Sequence, residues 1–377
     1  MFNDAFRVRL TFGVLIVLWA PMILCARAVA QNSPRPDSGS AAVGRTPQAD
    51  QVVVDVEIPS DASEQFLIQE IVRLSASGKQ AADMMKAVTY IDELLRRYPR
   101  TEFKDQALTT KLGVLAKLAR VNPEYLHVLL QLTEQISRSD VGEELACESA
   151  FYAIQAFVLG ARSEGMPEDR RLMGTFERYE AFLEDCRESK HAAVIQASLI
   201  RTALAMKRIE RAERELAVMK KRFPDHQATR RASGEVYRAT GVGKPFEFSY
   251  AITDGTTVRS QDYVGRVLVV HFWAFWHKAS LQQLSEIARL NALYANRGLA
   301  LISVTLDTEC GWAAGAGKKS KMTWPICCEG KGFEGEVAVS HGVTALPSFF
   351  VIDRKGILQS TDPGDKLESL VRQLLGE

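Results

Sequence analysis

The stretch Arg266-Val-Leu-Val-Val-His-Phe-Trp-Ala-Phe275, continued by Trp276-His-Lys-Ala-Ser280, decides the fold of this chain. Its first half is β-branched and aromatic, which predicts a strand. Apolar residues then recur close to helical spacing, at Leu281, Leu284, Ile287, Ala288, Leu290 and Leu293. The sequence therefore predicts a strand, an aromatic turn and a helix in that order.

Two further apolar runs lie downstream. Gly298-Leu-Ala-Leu-Ile-Ser-Val-Thr-Leu-Asp307 is bounded by Gly and Asp, a pattern typical of a buried parallel strand. Val343-Thr-Ala-Leu-Pro347 precedes the apolar run Phe349-Phe-Val-Ile-Asp353. Three shorter segments precede the first strand, at residues 243–248, 253–258 and 262–265, and the last of them is a short turn that ends in Gly265.

In this order the segments resemble the thioredoxin superfamily, and more closely its secreted TlpA/ResA-like thiol-disulfide oxidoreductases. Trp324-Pro-Ile-Cys-Cys328 resembles the planctomycete-type members of that family. The resemblance implies a thioredoxin-like α/β sandwich over residues 241–377. It also implies that Pro347 is a cis-proline against the redox turn, and that Trp276, Leu346 and Pro347 contact an extended peptide.

In that family the turn reads Trp-Cys-x-x-Cys, and both cysteines react. Here His277 and Ser280 occupy the two positions, so the site is degenerate and no catalytic residue is predicted. A histidine cannot form a mixed disulfide, and a serine hydroxyl cannot resolve one. The sequence therefore predicts a redox-inactive module that binds a protein or peptide, or acts as a scaffold.

Three histidines of this region, His271, His277 and His341, are candidates for a structural or a metal-binding role. At a helix start His277 is expected to be neutral, and Ser280 is expected to help satisfy backbone N–H groups at an exposed position. His271 replaces an acidic residue that many thioredoxins bury, and we interpret it as a core histidine with one hydrogen bond. With His341 these residues are too few for a zinc or copper site, so neither metal nor cofactor is predicted.

A second hypothesis uses the remaining cysteines. Cys310 follows the second strand, at the edge where such folds bind ligands, and it could pair with Cys327 or Cys328. The alternative function is thus an active thiol-disulfide oxidoreductase or a peroxidase-like antioxidant enzyme with relocated thiols. Cys327 and Cys328 are expected on opposite faces of a strand end.

Residues 1–30 have the pattern of a secretory signal. A basic start precedes an apolar core at residues 10–24, and Ala28-Val-Ala30 is a cleavage motif. The alternative is an uncleaved anchor at residues 10–25, which would then contact a membrane. Either way the protein is predicted to be exported, periplasmic or otherwise extracytoplasmic.

In an exported protein the number of cysteines indicates whether every thiol can be paired in a disulfide. Of six cysteines, Cys25 lies in the signal, so five remain, and an odd number leaves at least one thiol without a partner in the same chain. Cys147 and Cys186 are interpreted as buried free thiols, because unpaired cysteine behaves as a small apolar residue.

The middle of the chain is helical in pattern. Residues 31–60 are rich in Ser, Pro, Ala and Gln and are predicted to be a flexible linker, with a candidate edge strand at residues 52–56. Residues 61–240 are predicted to form irregular, TPR-like helical hairpins. Leu94-Leu-Arg-Arg-Tyr-Pro99 and Met219-Lys-Lys-Arg-Phe-Pro224 predict two helix ends. A protein-binding scaffold and a merely packed domain both remain open.

The charge balance excludes one class of partner. With 47 basic and 46 acidic residues, the formal net charge is +1. The sequence shows no basic stripe interleaved with aromatic residues. It therefore argues against nucleic-acid binding.

Overall fold

The computed structural model describes residues 56–77, 80–311 and 322–377. The predicted signal and nearly all of the predicted linker, including the candidate strand before Val56, lie outside these residues. Among the described residues no helix is long and apolar enough to cross a membrane.

The part of the chain from residue 56 to 240 is all-helical where it is described. Its helices are α1 (Glu64–Ser77), α2 (Ala81–Arg97), α3 (Lys104–Val121), α4 (Glu124–Ser137), α5 (Glu143–Ser163), α6 (Glu168–Asp185), α7 (Ala192–Ala205), α8 (Ile209–Arg222) and α9 (Gln227–Thr240). Consecutive helices pack on each other through their apolar faces. Both predicted helix ends are confirmed, since α2 and α8 each end at the last basic residue before the aromatic residue.

A disulfide crosses this helical part. Cys147 on α5 is bonded to Cys186, the residue after α6, with the two Cα atoms 5.6 Å apart. The interpretation of these residues as free thiols is therefore wrong. Antiparallel packing of two neighbouring helices brings together positions that are 39 residues apart in sequence.

We expect the Cys147→Ala/Cys186→Ala double variant to lose about 2–4 kcal/mol of unfolding free energy, because the cross-link restricts the unfolded chain. Denaturation followed by circular dichroism measures this. Cys327→Ala is the matched control, since Cys327 is a buried cysteine without a disulfide. An equal loss in both variants would show that packing alone accounts for the effect.

The C-terminal part is a thioredoxin-like α/β domain. A hairpin of β1 (Ser249–Ala251) and β2 (Thr257–Arg259) precedes a five-stranded sheet in the order β5-β4-β3-β6-β7. The sheet consists of β3 (Val267–Trp273), β4 (Leu299–Thr305), β5 (Ile326–Cys328), β6 (Ser348–Ile352) and β7 (Leu358–Thr361). β3, β4 and β5 are parallel, whereas β6 and β7 are antiparallel to their neighbours. The predicted fold class is confirmed.

Helices cover both faces of the sheet. They are α10 (Lys278–Tyr294), α11 (Glu336–Ser340) and α12 (Leu367–Leu375). One core contacts α10 and α12 and includes Val267, Val269, Leu301, Val351 and Val371. The other contacts α11 and the segment before β1 and includes Leu268, Val270, Phe272, Ile302 and Phe350. Because successive residues of a strand face opposite sides and both faces are covered, β3 and β4 are buried along their whole length and are apolar except at His271, Ser303 and Thr305.

Helix α9 joins the helical part to the thioredoxin-like domain. Gly234 lies so close to α11 that a Cβ at this position would be 1.9 Å from the Val339 carbonyl oxygen. Farther along α9, Arg238 forms an ion pair with Asp362 and donates a 3.0 Å hydrogen bond to Ser348. The helical part therefore contacts the first residue of β6 directly.

Candidate functional site

The site begins where β3 ends. All seven residues of β3 are buried, whereas Phe275 and Trp276 just after it are 54% and 58% exposed. The Trp276 ring lies 6.4 Å from the ring of Phe333, measured between centroids. The predicted aromatic turn is thus an exposed apolar surface at the carboxyl edge of the sheet.

His277 is the N-cap of α10. Its Nδ1 atom accepts a 3.3 Å hydrogen bond from the Ser280 backbone N–H and lies 2.9 Å from Ser280 Oγ. The neutral ring that this arrangement requires carries its proton on Nε2. Ser280 itself is 0% exposed. The expectation that Ser280 caps an exposed helix start is wrong, because the imidazole reaches forward to cap the helix and Ser280 lies beneath it.

This arrangement limits the chemistry of the turn. An imidazole nitrogen and a serine hydroxyl within 2.9 Å resemble the nucleophile and base of a hydrolase. A nucleophile must meet its substrate, however, and Ser280 is completely covered. The turn also carries no sulfur. The two side chains therefore cap and stabilise the start of α10.

The peptide bond between Leu346 and Pro347 is cis, the isomer that the family resemblance implies. Ser348 pairs with Phe272 in the antiparallel register of β3 and β6, which places Pro347 opposite Trp273. Leu346 and Pro347 are half-buried. The three residues assigned to peptide contact thus belong to one edge of the sheet.

His271 is buried in β3 and stacks on Phe349, with the ring centroids 4.7 Å apart. Neither ring nitrogen has a hydrogen-bond partner among the described residues, so the expected single hydrogen bond is wrong. An aromatic ring covers the imidazole where a polar group was expected. Burial lowers the pKa of His271 to about 3.

His341 is a buried core residue on the opposite face of the sheet. Its Nδ1–H donates a 2.8 Å hydrogen bond to the Val337 carbonyl, and the Tyr250 hydroxyl lies 3.3 Å from Nε2. Burial lowers its pKa to about 4. Among the described residues no group of His, Cys, Asp and Glu side chains could bind a metal ion.

The cysteines of this domain separate into a pair and a free thiol. Cys310 and Cys328 form a disulfide, with their Cα atoms 5.7 Å apart. Cys327 is free and buried in the core beside α11, and burial raises its pKa to about 12. Since Cys327 is paired with Val304 and Cys328 with Thr305, the prediction of opposite faces is confirmed.

Asp307 is a site residue that the sequence reasoning missed. Its carboxylate accepts hydrogen bonds from the Phe275 backbone N–H, at 3.1 Å, and from the Thr305 hydroxyl. It is 4% exposed, and burial raises the pKa of the carboxyl group. The sequence did contain a signal for this role, because Asp307 is an acidic residue directly after a buried parallel strand, where such folds place functional groups. From the sequence alone, Asp307 was interpreted only as the boundary of the apolar run.

The fold and the turn together define a thioredoxin-like domain with His277 and Ser280 at the start of α10. Residues 242–361 match the AhpC/TSA family. The chain is 25% identical over 139 residues to the thioredoxin-like protein YneN of Bacillus subtilis, covering 34% of this chain and 75% of YneN. It is 23% identical over 129 residues to the thiol-disulfide oxidoreductase ResA of Bacillus thuringiensis, covering 34% of this chain and 73% of ResA.

Among solved structures, a thiol-disulfide oxidoreductase from Bacteroides fragilis is similar at 24% identity and a TM-score of 0.32. The match covers 34% of this chain and 98% of that one. The sequence matches support the resemblance of the C-terminal domain to the TlpA/ResA-like thiol-disulfide oxidoreductases.

Proposed function

We propose that this protein is an exported module that binds a polypeptide segment and performs no dithiol exchange at the turn of residues 276–280. The observation that carries the proposal is the pairing of His277 with Ser280. A hydrogen bond of 2.9 Å joins the two side chains at the positions where the family has its reactive sulfurs. The turn between β3 and α10 is present, but its side chains cannot carry out dithiol exchange.

The absence of exchange follows from what each step needs. A thiolate must attack the substrate disulfide, and a second thiol must release the mixed disulfide. Within the turn neither atom exists, and the free Cys327 is buried with a pKa raised to about 12. A thiol with so high a pKa holds almost no thiolate near neutral pH.

Binding is supported by the surface that remains. Phe275 and Trp276 are exposed next to a half-buried Leu346–Pro347 segment at the same edge of the sheet. Large aromatic side chains exposed together are typical of an interaction site. An extended segment lying along residues 346–347 would pack its apolar side chains against Trp276.

An extracytoplasmic location is supported by two features. Residues 1–30 have the pattern of a secretory signal. The described residues also contain two disulfides, which persist in oxidising compartments and are rare in the cytosol. The helical part is proposed to act as a scaffold, since α9 fixes it to the domain at Gly234 and Arg238.

Trp276→Ala is expected to weaken polypeptide binding about tenfold or more, as truncation of a central aromatic residue does at interfaces. The probe is fluorescently labelled, reduced and carboxymethylated lactalbumin, a permanently unfolded chain, and fluorescence anisotropy measures its affinity.

Phe103→Ala is the matched control, because Phe103 is a 43% exposed aromatic residue of the helical part. It should leave the affinity unchanged. Equal affinity of wild type and Trp276→Ala for the probe would overturn the proposed site.

A further inference from the structure

The Cys310–Cys328 disulfide lies at the edge of the sheet that carries the exposed turn. Thr305 is paired with Trp273 on one side and with Cys328 on the other. These three residues share one face of the sheet, the face that α10 covers. The cross-link therefore lies two strands away from the point where β3 gives way to Phe275 and Trp276.

The disulfide joins the two segments that contact this turn. The first is the loop of residues 306–310, whose Leu306 N–H donates to the Trp273 carbonyl at 2.8 Å. In the same loop the Asp307 carboxylate accepts from the Phe275 N–H at 3.1 Å. These hydrogen bonds determine where the backbone leaves β3.

The second segment is residues 328–333, which ends in Phe333 against the Trp276 ring. It approaches the first segment closely at Gly330, where a Cβ would lie 3.3 Å from the Thr308 carbonyl oxygen. The Cys310–Cys328 bond is the covalent link between the two segments. Without it, loop 306–310 and Phe333 would be fixed beside the turn only by noncovalent contacts.

Exposure separates this disulfide from the other. Cys310 and Cys328 are both half-buried, whereas Cys147 and Cys186 are each 5% exposed. A disulfide is reduced by in-line attack of a thiolate on one of its sulfurs, so access decides which bond opens first. The Cys310–Cys328 bond is the more accessible of the two.

We propose that Cys310–Cys328 is a regulatory disulfide that an extracytoplasmic dithiol reductant opens, and that its opening loosens the binding surface around Trp276. In the first step a thiolate of the reductant attacks Cys310 Sγ, the Cys310–Cys328 bond breaks, and Cys328 leaves as a thiolate. The second thiol of the reductant then displaces Cys310. The dithiol is oxidised to a disulfide. Its two electrons and two protons pass to Cys310 and Cys328, which become thiols.

The surroundings of Cys328 suit its reduced form. Its sulfur lies 3.9 Å from the Asp307 carbonyl oxygen, which can accept a hydrogen bond from the thiol once it is protonated. Loop 306–310 is then free to move relative to residues 328–333. The regulatory consequence rests on the proposed function, because it concerns the polypeptide-binding surface at Trp276.

The first test measures selectivity of reduction in the folded protein. Wild type is treated with dithiothreitol for increasing times, the thiols are alkylated, and peptides are quantified by mass spectrometry. Cys310 and Cys328 should be reduced and alkylated about tenfold faster than Cys147 and Cys186. Reduction of both disulfides together, or of Cys147–Cys186 first, would overturn the proposal.

The second test measures the surface itself. Acrylamide quenching of Trp276 is obtained as the difference between the protein and its Trp276→Phe variant, with and without selective reduction. Quenching should increase on reduction and should be equally high in Cys310→Ser/Cys328→Ser without reductant. Selective reduction of wild type gives the answer if the serine variant does not fold. Unchanged quenching would refute the coupling.

These results are independent of the binding assay. If reduction is selective and quenching changes while the carboxymethylated lactalbumin probe does not bind, the proposed function fails and the disulfide switch stands. If the probe binds through Trp276 and its affinity is the same before and after selective reduction, the proposed function stands and the regulatory role is refuted.

Discussion

The His277→Cys/Ser280→Cys double variant should reduce insulin, and oxidant should close a disulfide between the two introduced thiols. Wild type is expected to show no exchange at this turn. The physical reason is that the side chains at the two positions already meet, with His277 Nδ1 2.9 Å from Ser280 Oγ. The change therefore replaces a hydrogen bond with a covalent bond at an existing contact.

The location should also lower the pKa of the thiol introduced at position 277 and shield the thiol introduced at position 280. Position 277 is the N-cap of α10, where unpaired N–H groups and the helix dipole stabilise a thiolate. Its pKa should fall below the free value of about 8.5. Position 280 is completely buried, so the second thiol is protected from substrates and is placed to resolve an adduct on the first.

Three controls identify the source of any activity. Either single variant should be inactive, because one thiol can attack but nothing releases the adduct. The double variant should keep its activity in a Cys310→Ser/Cys328→Ser background, which removes the native disulfide of this domain. Failure of the 277–280 disulfide to form under oxidant would show that the turn differs in shape from that of its relatives.

The rate should remain modest compared with that of active relatives. Many thioredoxins bury an acid where this chain has His271, and that acid assists proton transfer. His271 is neutral near pH 7 because burial lowers its pKa to about 3. It therefore supplies neither a charge nor a proton to the introduced pair.

Much of the domain could be predicted from local pattern. The apolar runs that became β3, β4 and β6 are visible in the sequence because strands buried on both faces are apolar at most positions. The strand pattern depends on a few neighbouring residues. The cis bond before Pro347 was implied by the family resemblance, in which the cis-proline precedes an apolar strand.

The disulfides and the cap could not be predicted, because each depends on distance in space. Cys147 and Cys186 are 39 residues apart, and Cys310 had two adjacent candidates, of which strand pairing selected Cys328. His277 caps α10 although histidine is not a common N-cap residue. Asp307 was missed because its role depends on a hydrogen bond to Phe275, in the turn that follows a different strand.

The stability of the thioredoxin-like domain should fall steeply in acid because of two buried histidines. The pKa of His271 is lowered to about 3 and that of His341 to about 4, against an unfolded value of 6.5. Below pH 6.5 the unfolded chain therefore binds protons that the folded chain does not. The stabilisation is complete above pH 6.5 and is lost as the pH falls towards 4 and then 3.

In that window each histidine should lower the free energy of unfolding by about 1.4 kcal/mol for each unit by which the pH falls. Between pH 7 and pH 5 the loss is about 2 kcal/mol for each histidine. Urea unfolding monitored by tryptophan fluorescence measures it. Three tryptophans, Trp273, Trp276 and Trp324, lie among the described residues of this domain and report on it.

His271→Phe should remove its share of this slope and leave that of His341. Because neither nitrogen of His271 has a partner among the described residues, the apolar ring also removes a buried polar cost of about 1–3 kcal/mol. The variant should therefore be at least as stable as wild type at pH 7.

His127→Gln is the control, since His127 is exposed on α4 and its replacement should leave the slope unchanged. An unaltered slope in His271→Phe would mean that His271 is protonated in the folded protein, which requires water or a partner beside its ring. The imidazole would then be available to the turn at neutral pH, and the neutral core role assigned to it here would be wrong.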